Sequence, residues 1–303
     1  NLIDWFVQAG NESMNAVAED QRAFMLGGSG EDHLTGGSQA DVLVGNGGND
    51  YIEGGAGHDL LYGGAGHDTF YVGGYDDAYD EFWGGEGYDK IIGGADDDFI
   101  KVKALTSANS IEEIDGGGGG NLIIGTEGND VIDLSGMVVA NIDGIDGDDG
   151  EDVLIGSSGD DVLYGDSDDV ADILEGGAGN DTYYIGKNDI VIDADHSGTI
   201  VIDGYSLAMA GMQLEYLYAA DGSEYYRGSS TGMTLEYDSA AGTLTGLEDN
   251  FTVSNFDKGD FGINLVMPDP TPPPASRTLT GTGSDDDTGA MVFQNQGRYY
   301  FSG

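Results

Sequence analysis

Between Gly27 and Tyr71 the chain repeats itself every nine residues, and few folds accommodate such a period. Five units follow one another without a gap: GGSGEDHLT, GGSQADVLV, GNGGNDYIE, GGAGHDLLY and GGAGHDTFY. Their sixth positions are Asp32, Asp41, Asp50, Asp59 and Asp68, and their eighth are Leu34, Leu43, Ile52, Leu61 and Phe70. The preceding stretch, AEDQRAFML, keeps Met25 at the eighth position but has Ala23 at the sixth, and reads as an end-cap turn. After an eleven-residue detour, Gly73 to Trp83, the units GGEGYDKII and GGADDDFIK add Asp89 and Asp98.

A second block begins at Gly116 with GGGGGNLII and GTEGNDVID. It continues after an insert with GDDGEDVLI, GSSGDDVLY, the expanded GDSDDVADILE and GGAGNDTYY. Its sixth positions are Asn121, Asp130, Asp152, Asp161, Asp172 and Asp181. The stretch from Ile111 to Ile132 also matches the stretch from Ile142 to Leu163 at a constant offset of 31, which reads as a copy of two coils plus one loop.

Nine residues divide into a six-residue turn and a three-residue strand. Strand side chains alternate between faces, so of the three only the eighth position points inward. Two units then make one coil, and stacked coils make two parallel sheets. Glycine supplies the backbone angles of the turns. The residue 18 positions on lies directly above, so Asp50 falls between Asp32 and Asp68, and Asp41 lies under Asp59. Such columns of like charge are destabilising unless a cation lies between successive turns. Calcium suits them, because it takes roughly six to eight carboxylate and carbonyl oxygens in flexible geometry, whereas magnesium demands a strict octahedron. Zinc fits worse in a chain with no cysteine and only 4 histidines.

Charge agrees with this reading. There are 57 acidic and 9 basic residues, so the formal net charge is 9 − 57 = −48, and glycine contributes 55 residues. Alone, such a chain repels itself and borders on disorder. Yet 39% of residues are hydrophobic, too many for a solvated acidic tail. Cation-driven folding reconciles the two. The charge excludes nucleic acid and anionic membrane as partners. No disulfide is available, and no apolar run reaches the length of a membrane-spanning helix. The chain opens on Asn1 without a signal peptide and reads as a piece of a longer protein.

The unit GGxGxDxUx resembles the nonapeptide of the RTX (repeats-in-toxin) family, over residues 27 to 101 and 116 to 184. The resemblance implies several bound Ca2+ ions. They would be held by Asp32, Asp41, Asp50, Asp59, Asp68, Asp89, Asp98, Asp130, Asp152, Asp161, Asp172 and Asp181. The first-position glycines Gly27, Gly36, Gly45, Gly54, Gly63, Gly84, Gly147, Gly156 and Gly176 would join them. Sites beside the departures Asn121, Gln39 and Asp96 are expected to be weaker or absent. The family further implies export by a Gram-negative type I secretion apparatus, then calcium-driven folding in the extracellular medium.

The expected fold is all-β: two calcium-binding parallel β-rolls, a β-rich C-terminal capping segment and a short N-terminal helical cap. The boundaries are 1–22 for the helical cap or junction, 23–101 for the first roll and 102–115 for a connector. The second roll is 116–184, a β-rich cap 185–266, a proline-rich linker 267–276, and 277–303 begins a further module or forms a terminal strand pair. The cap is expected to cover the open sheet edge of the last coil. In the N-terminal segment Leu2, Phe6 and Ala9 share one helical face, and Met14, Val17 and Ala18 another. This stretch resembles the junction that follows a hydrolase domain in lipase-like exoproteins.

Other motifs have two readings each. Gly228–Gly232 matches GxSxG, but the strand-like MTLEY follows where a nucleophile elbow needs a helix, so a hairpin turn fits better. Asp193, Asp195 and Ser197 resemble the start of an EF-hand loop; they form either an extra metal site or an ordinary turn, since Gly204 stands where the closing Glu belongs. His33, His58 and His67 occupy outward or turn positions and are expected to be exposed and unliganded. Tyr51, Tyr62, Tyr71, Tyr183 and Tyr184 lie on strands and either cover the sheets or form a sugar-stacking strip.

The function expected is a calcium-binding repeat region, not itself an enzyme, that supports secretion and stability of an upstream domain of the same chain. One alternative is the C-terminal part of a secreted lipase or protease. Another is an adhesin module for a surface sugar or protein ligand, although the negative charge disfavours a polyanionic sugar.

Overall fold

The computed structural model describes residues 5–9, 13–15, 21–74, 78–166, 169–202, 205–206, 214–219, 224–228, 234–247, 250–258, 260–263, 291–295 and 298–302. Short strands dominate; among the described residues the only helical pieces are the 3-10 turns Ser107–Asn109 and Asp260–Gly262. Most three-residue strands bury their middle side chain and leave both neighbours half-exposed, as in Tyr51–Glu53, Thr69–Tyr71 and Val153–Ile155. That middle residue is the eighth position. Leu34, Leu43, Ile52, Phe70, Ile91 and Ile100 are all fully buried. Burying one such side chain contributes roughly 1.5–3 kcal/mol, an upper bound given a compact unfolded chain.

Each strand pairs in parallel with its counterpart one coil later. Met25, Leu43 and Leu61 stack in one sheet, and Leu34, Ile52 and Phe70 in the other. The first sheet ends at Glu81–Gly87, but the second runs on through Lys90–Ile92, Glu113–Asp115 and Val138–Ala140. Meanwhile a third sheet starts at Phe99–Lys101 and a fourth at Ala104–Leu105. The coils between Lys90 and Ile155 therefore have three strands each. Beyond Val138–Ala140 the second sheet stops, and two-stranded coils resume on the third and fourth sheets. The expected connector, 102–115, is thus part of the stack: it supplies a strand, a 3-10 turn and another strand. The Asn109 side chain in that turn donates Nδ2–H to the Phe82 carbonyl at 2.8 Å and covers the end of the first sheet.

The 31-residue duplication lands on different sheets. Ile114 belongs to the second sheet, whereas its copy Ile145 stacks on Ile123 in the third. The copy spans one three-stranded coil plus one strand rather than two coils and a loop.

Among the described residues the helical N-terminal cap is not found. Trp5–Ala9 is a strand paired in parallel with Arg22–Leu26, and Ser13–Asn15 pairs with His33–Thr35. The open edge of the first coil presents a row of backbone donors and acceptors, and pairing with it satisfies them. A short isolated helix offers no comparable return, since helices below roughly 12–15 residues are marginal in water.

At the other end, Gly198–Ile202 stacks on Asp181–Ile185, and Thr252–Ser254 adds in parallel to Ile190–Ile192. Antiparallel strands Thr243–Gly246, Thr234–Asp238, Glu224–Gly228 and Leu214–Ala219 follow outward from Thr252–Ser254. Their core holds Tyr226, Leu235, Leu244, Phe251 and Phe256. Phe261 meets the Tyr183 ring edge-on at 6.1 Å, joining this flank to the last repeat. The proline-rich linker lies outside the described residues. Met291–Asn295 and Arg298–Ser302 form an antiparallel pair.

Candidate metal centre

Each repeat turn folds around its sixth-position carboxylate. In some turns one oxygen accepts the N–H four residues earlier: Gly28 to Asp32 at 2.7 Å, Gly37 to Asp41 at 2.6 Å and Ser157 to Asp161 at 2.7 Å. The other reaches back to the preceding coil. Asp32 donates its backbone N–H to Asp50 Oδ1 at 2.8 Å, Asp50 to Asp68 at 2.8 Å, and Asp68 to Asp89 at 2.7 Å. A second ladder runs from Ala23 to Asp41 (2.6 Å) and from Asp41 to Asp59 (2.7 Å). In the second block Asp130 donates to Asp152 (2.8 Å), Asp152 to Asp172 (2.9 Å) and Asp161 to Asp181 (2.9 Å). The spacing is 18 residues in the rungs of the first block up to Asp68, 21 from Asp68 to Asp89 across the detour, and 20 to 22 in these rungs of the second block.

These carboxylates sit in an energetically poor place. Asp50, Asp68, Asp89 and Asp181 are at most 2% exposed, and the Oδ2 atom of each accepts no hydrogen bond. Leaving a buried acceptor unpaired is costly, and more so when it carries charge. Burial accordingly raises the carboxyls of Asp41, Asp50 and Asp89 above their ordinary range. Burial, with neighbouring carboxylates adding to it, pushes Asp68 and Asp181 up to about 6 and Asp172 up to about 8.

The same oxygens border a space kept open by glycine. A Cβ on Gly27 would lie 2.6 Å from Asp32 Oδ2 and would meet the Gly45 carbonyl of the next coil. Gly36 faces Asp41 and the Gly54 carbonyl in the same way, and Gly45 faces Asp50 and the Gly63 carbonyl. Gly156 has Asp161 and the Gly176 carbonyl; Gly54, Gly63 and Gly147 have Asp59, Asp68 and Asp152 beside them. A carboxylate oxygen and a carbonyl from the next coil thus converge where no side chain can grow. Among the described residues no three His, Asp or Glu side chains form a metal-holding group. Any cation here takes most of its oxygens from the backbone, and this donor set fits calcium.

The structure extends the ladders with residues that the repeat pattern does not mark. Asp59 donates to Asp80 Oδ1 at 2.9 Å, within the detour. Asp89 donates to Glu112 Oε2 at 2.7 Å. Asp172 donates to Asp189 Oδ1 at 3.1 Å, and Gly186 to Asp189 Oδ2 at 2.7 Å. The signal for Asp189 was present in G-K-N-D-I-V-I, a shortened unit with the acid just before its strand. Asp80 and Glu112 also immediately precede strands, but without a glycine-rich turn motif.

Asn121 departs most. Its Oδ1 accepts the Asp98 N–H at 2.9 Å as an aspartate would, but its Nδ2 donates to the Asn141 carbonyl at 2.9 Å. The amide nitrogen thus occupies the space beside Gly116, where elsewhere carboxylate and carbonyl face each other. Asp98 itself accepts the N–H groups of Gly94 and Gly74, each at 2.5 Å. The turns holding Gln39 and Asp96 keep the Asp41 and Asp98 geometry.

Asp193, Asp195 and Ser197 form a turn against the last repeat. Asp193 Oδ1 accepts the Asp195 and His196 N–H groups, and its Oδ2 accepts the Tyr183 hydroxyl, all at 3.0 Å. Asp195 accepts the N–H groups of Ser197 and Gly179, both at 3.0 Å. Gly198 takes the place of the next ladder aspartate, stacked on Asp181. His33 stacks on Tyr51 with centroids 4.5 Å apart, His58 lies 3.5 Å from Glu81, and His67 Nδ1 accepts the Tyr88 N–H at 2.9 Å. Tyr62 stacks on Trp83, Tyr51 on Tyr71 and Tyr164 on Tyr184, so these outward rings cover one another along the sheets. Gly228 ends a strand; the rest of the GxSxG stretch lies outside the described residues.

A parallel β-solenoid with buried carboxylates facing carbonyls across glycine-kept gaps defines a calcium-binding repeat protein. Residues 26–61, 44–78, 80–101, 111–136, 146–183 and 171–187 match the family model of the RTX calcium-binding nonapeptide repeat (4 copies), and these residues form an RTX repeat region. This repeat region is a calcium-binding parallel β-roll, structural rather than catalytic. No curated protein matches the chain.

Proposed function

We propose that this region folds on binding several calcium ions outside the cell, and that the folded roll supports type I secretion and stability of a larger exoprotein. The observation that carries the reading is the set of buried Oδ2 atoms of Asp50, Asp68, Asp89 and Asp181, which the protein leaves without a partner. In a calcium-poor cytosol these carboxylates and a net charge of −48 oppose compaction. The chain then remains threadable through a secretion apparatus of the Gram-negative type. In the extracellular medium, calcium supplies the missing partner, and binding free energy becomes folding free energy. The absence of cysteine leaves the cation as the available crosslink.

Far-ultraviolet circular dichroism tests this. In chelator the β-signal should be largely lost; millimolar calcium should restore it, and magnesium at equal concentration should not. A spectrum indifferent to chelator would overturn the reading.

A further inference from the structure

We propose that the first carboxylate ladder ends in a calcium site outside the repeat pattern, closed by Ser110 and Glu112 above the turn Gly84–Asp89. The inference rests on the reading that the nonapeptide turns hold calcium, and adds a site that the repeat count would omit.

Asp89 is fully buried. Its Oδ1 accepts the Asp68 N–H at 2.7 Å, while its Oδ2 accepts nothing. Had the ladder ended here, that oxygen would face inert backbone. Instead it borders the space beside Gly84, and the carbonyl on the other side of that space belongs to Ser110. The pair repeats the arrangement at Gly45, where Asp50 Oδ2 faces the Gly63 carbonyl.

Ser110 reaches this place through local structure unlike a repeat turn. Thr106 and Asn109 cap the 3-10 turn Ser107–Asn109, and Ser110 follows in the left-handed region at φ 54°. The chain then leads to Glu112, whose Oε2 accepts the Asp89 N–H at 2.7 Å. Asp89 does the same for Asp68 one coil below, so Glu112 stands in for the next ladder aspartate. A carboxylate from each coil and a carbonyl from the upper one are therefore present. A cleft of about 190 Å3, lined by Ser107, Ser110, Glu112, Asp133 and Ser135 among others, opens beside Glu112. It admits water, which completes the coordination of a hard cation short of protein oxygens.

The ladder rung from Asp98 to Asn121 shows what a closed junction looks like by contrast. There the Asn121 amide fills the gap and donates to the Asn141 carbonyl. At the gap beside Gly84 the corresponding side chain is Asp89, whose Oδ2 brings no hydrogen-bond donor to the Ser110 carbonyl.

Long-wavelength anomalous diffraction from calcium-loaded crystals locates the ions directly. An anomalous peak between Asp89 and Ser110 is expected, alongside peaks in the nonapeptide turns. Peaks in those turns with none here would overturn the proposal alone; no peaks anywhere would overturn the calcium reading itself. In solution, Glu112→Gln keeps an acceptor for the Asp89 N–H but removes the charge. By equilibrium dialysis it should bind one calcium fewer per chain, or bind one at least about 10-fold more weakly. Unchanged stoichiometry and affinity in a folded Glu112→Gln variant would also overturn the site, and the diffraction result decides if that variant does not fold.

Discussion

The two-stranded coils before Asp89 and the three-stranded coils between Lys90 and Ile155 hold themselves together by different means. In the first region each coil contributes two inward side chains, such as Leu43 and Ile52, and two carboxylate turns. In the second the perimeter widens. Ile91, Ile100, Val102 and Leu105 are buried together, as are Ile114, Ile123, Ile132 and Leu134. There too one ladder position is an amide, Asn121, which closes its gap by hydrogen bonds alone. Apolar area grows with the enclosed cross-section, whereas the number of turns per coil hardly changes. A wider coil therefore depends less on ions between its turns.

Hydrogen exchange in chelator offers the largest contrast. Amides of residues 27–71 should exchange at nearly unfolded rates, while those of 113–145 retain protection of at least about 10-fold, because local stability follows buried apolar contact. Uniform exchange along the chain would break the comparison. Asn121→Asp should sharpen it. The variant replaces an N–H donor facing the Asn141 carbonyl with a carboxylate oxygen. Leaving a buried polar group unsatisfied costs roughly 1–3 kcal/mol. Middle-region protection in chelator should fall, and calcium titration should show one additional ion. A variant that behaves as the parent in both would show that the amide does not fill an ion's place.

The smallest effect expected is on pH dependence without calcium. The folded-state carboxyls of Asp68 and Asp181 lie at about 6 and that of Asp172 at about 8, all above the ordinary 3.8. Between those values the folded chain binds more protons than the unfolded one, so metal-free stability falls as pH rises and recovers as it falls. Circular dichroism in chelator should show more β-structure near pH 5 than near pH 8, with the gain confined to the ladder coils. A loss of structure on acidification would contradict the raised carboxyls.

Much of this was legible because the repeat fixes both period and polarity. The inward eighth position, the 18-residue stacking and the facing aspartates follow from nine residues and the alternation of strand side chains. Other features depend on contacts no local pattern encodes. The third strand per coil arises because the chain passes directly from Phe99–Lys101 to Ala104–Leu105 without a six-residue turn. Glu112 could not be told from Glu113 by sequence; only the stacking of Glu113 on Lys90 places Glu112 in the turn. Trp5–Ala9 could satisfy a helical face as well as a strand until an open sheet edge was available to pair with it. Asn121 was visible as a departure, but the destination of its amide was not.

The ladder bonds all run one way: an amide in one coil is completed by a carboxylate from the next, as Asp32 is by Asp50. The two ends of the solenoid are therefore complementary to each other and not to themselves. Two such ends meeting bare would join head to tail, the kind of contact that does not close and propagates into a filament. The strands Trp5–Ala9 and Ser13–Asn15 at one end, and Thr252–Ser254 with its antiparallel neighbours at the other, occupy the two surfaces through which that polymer would grow.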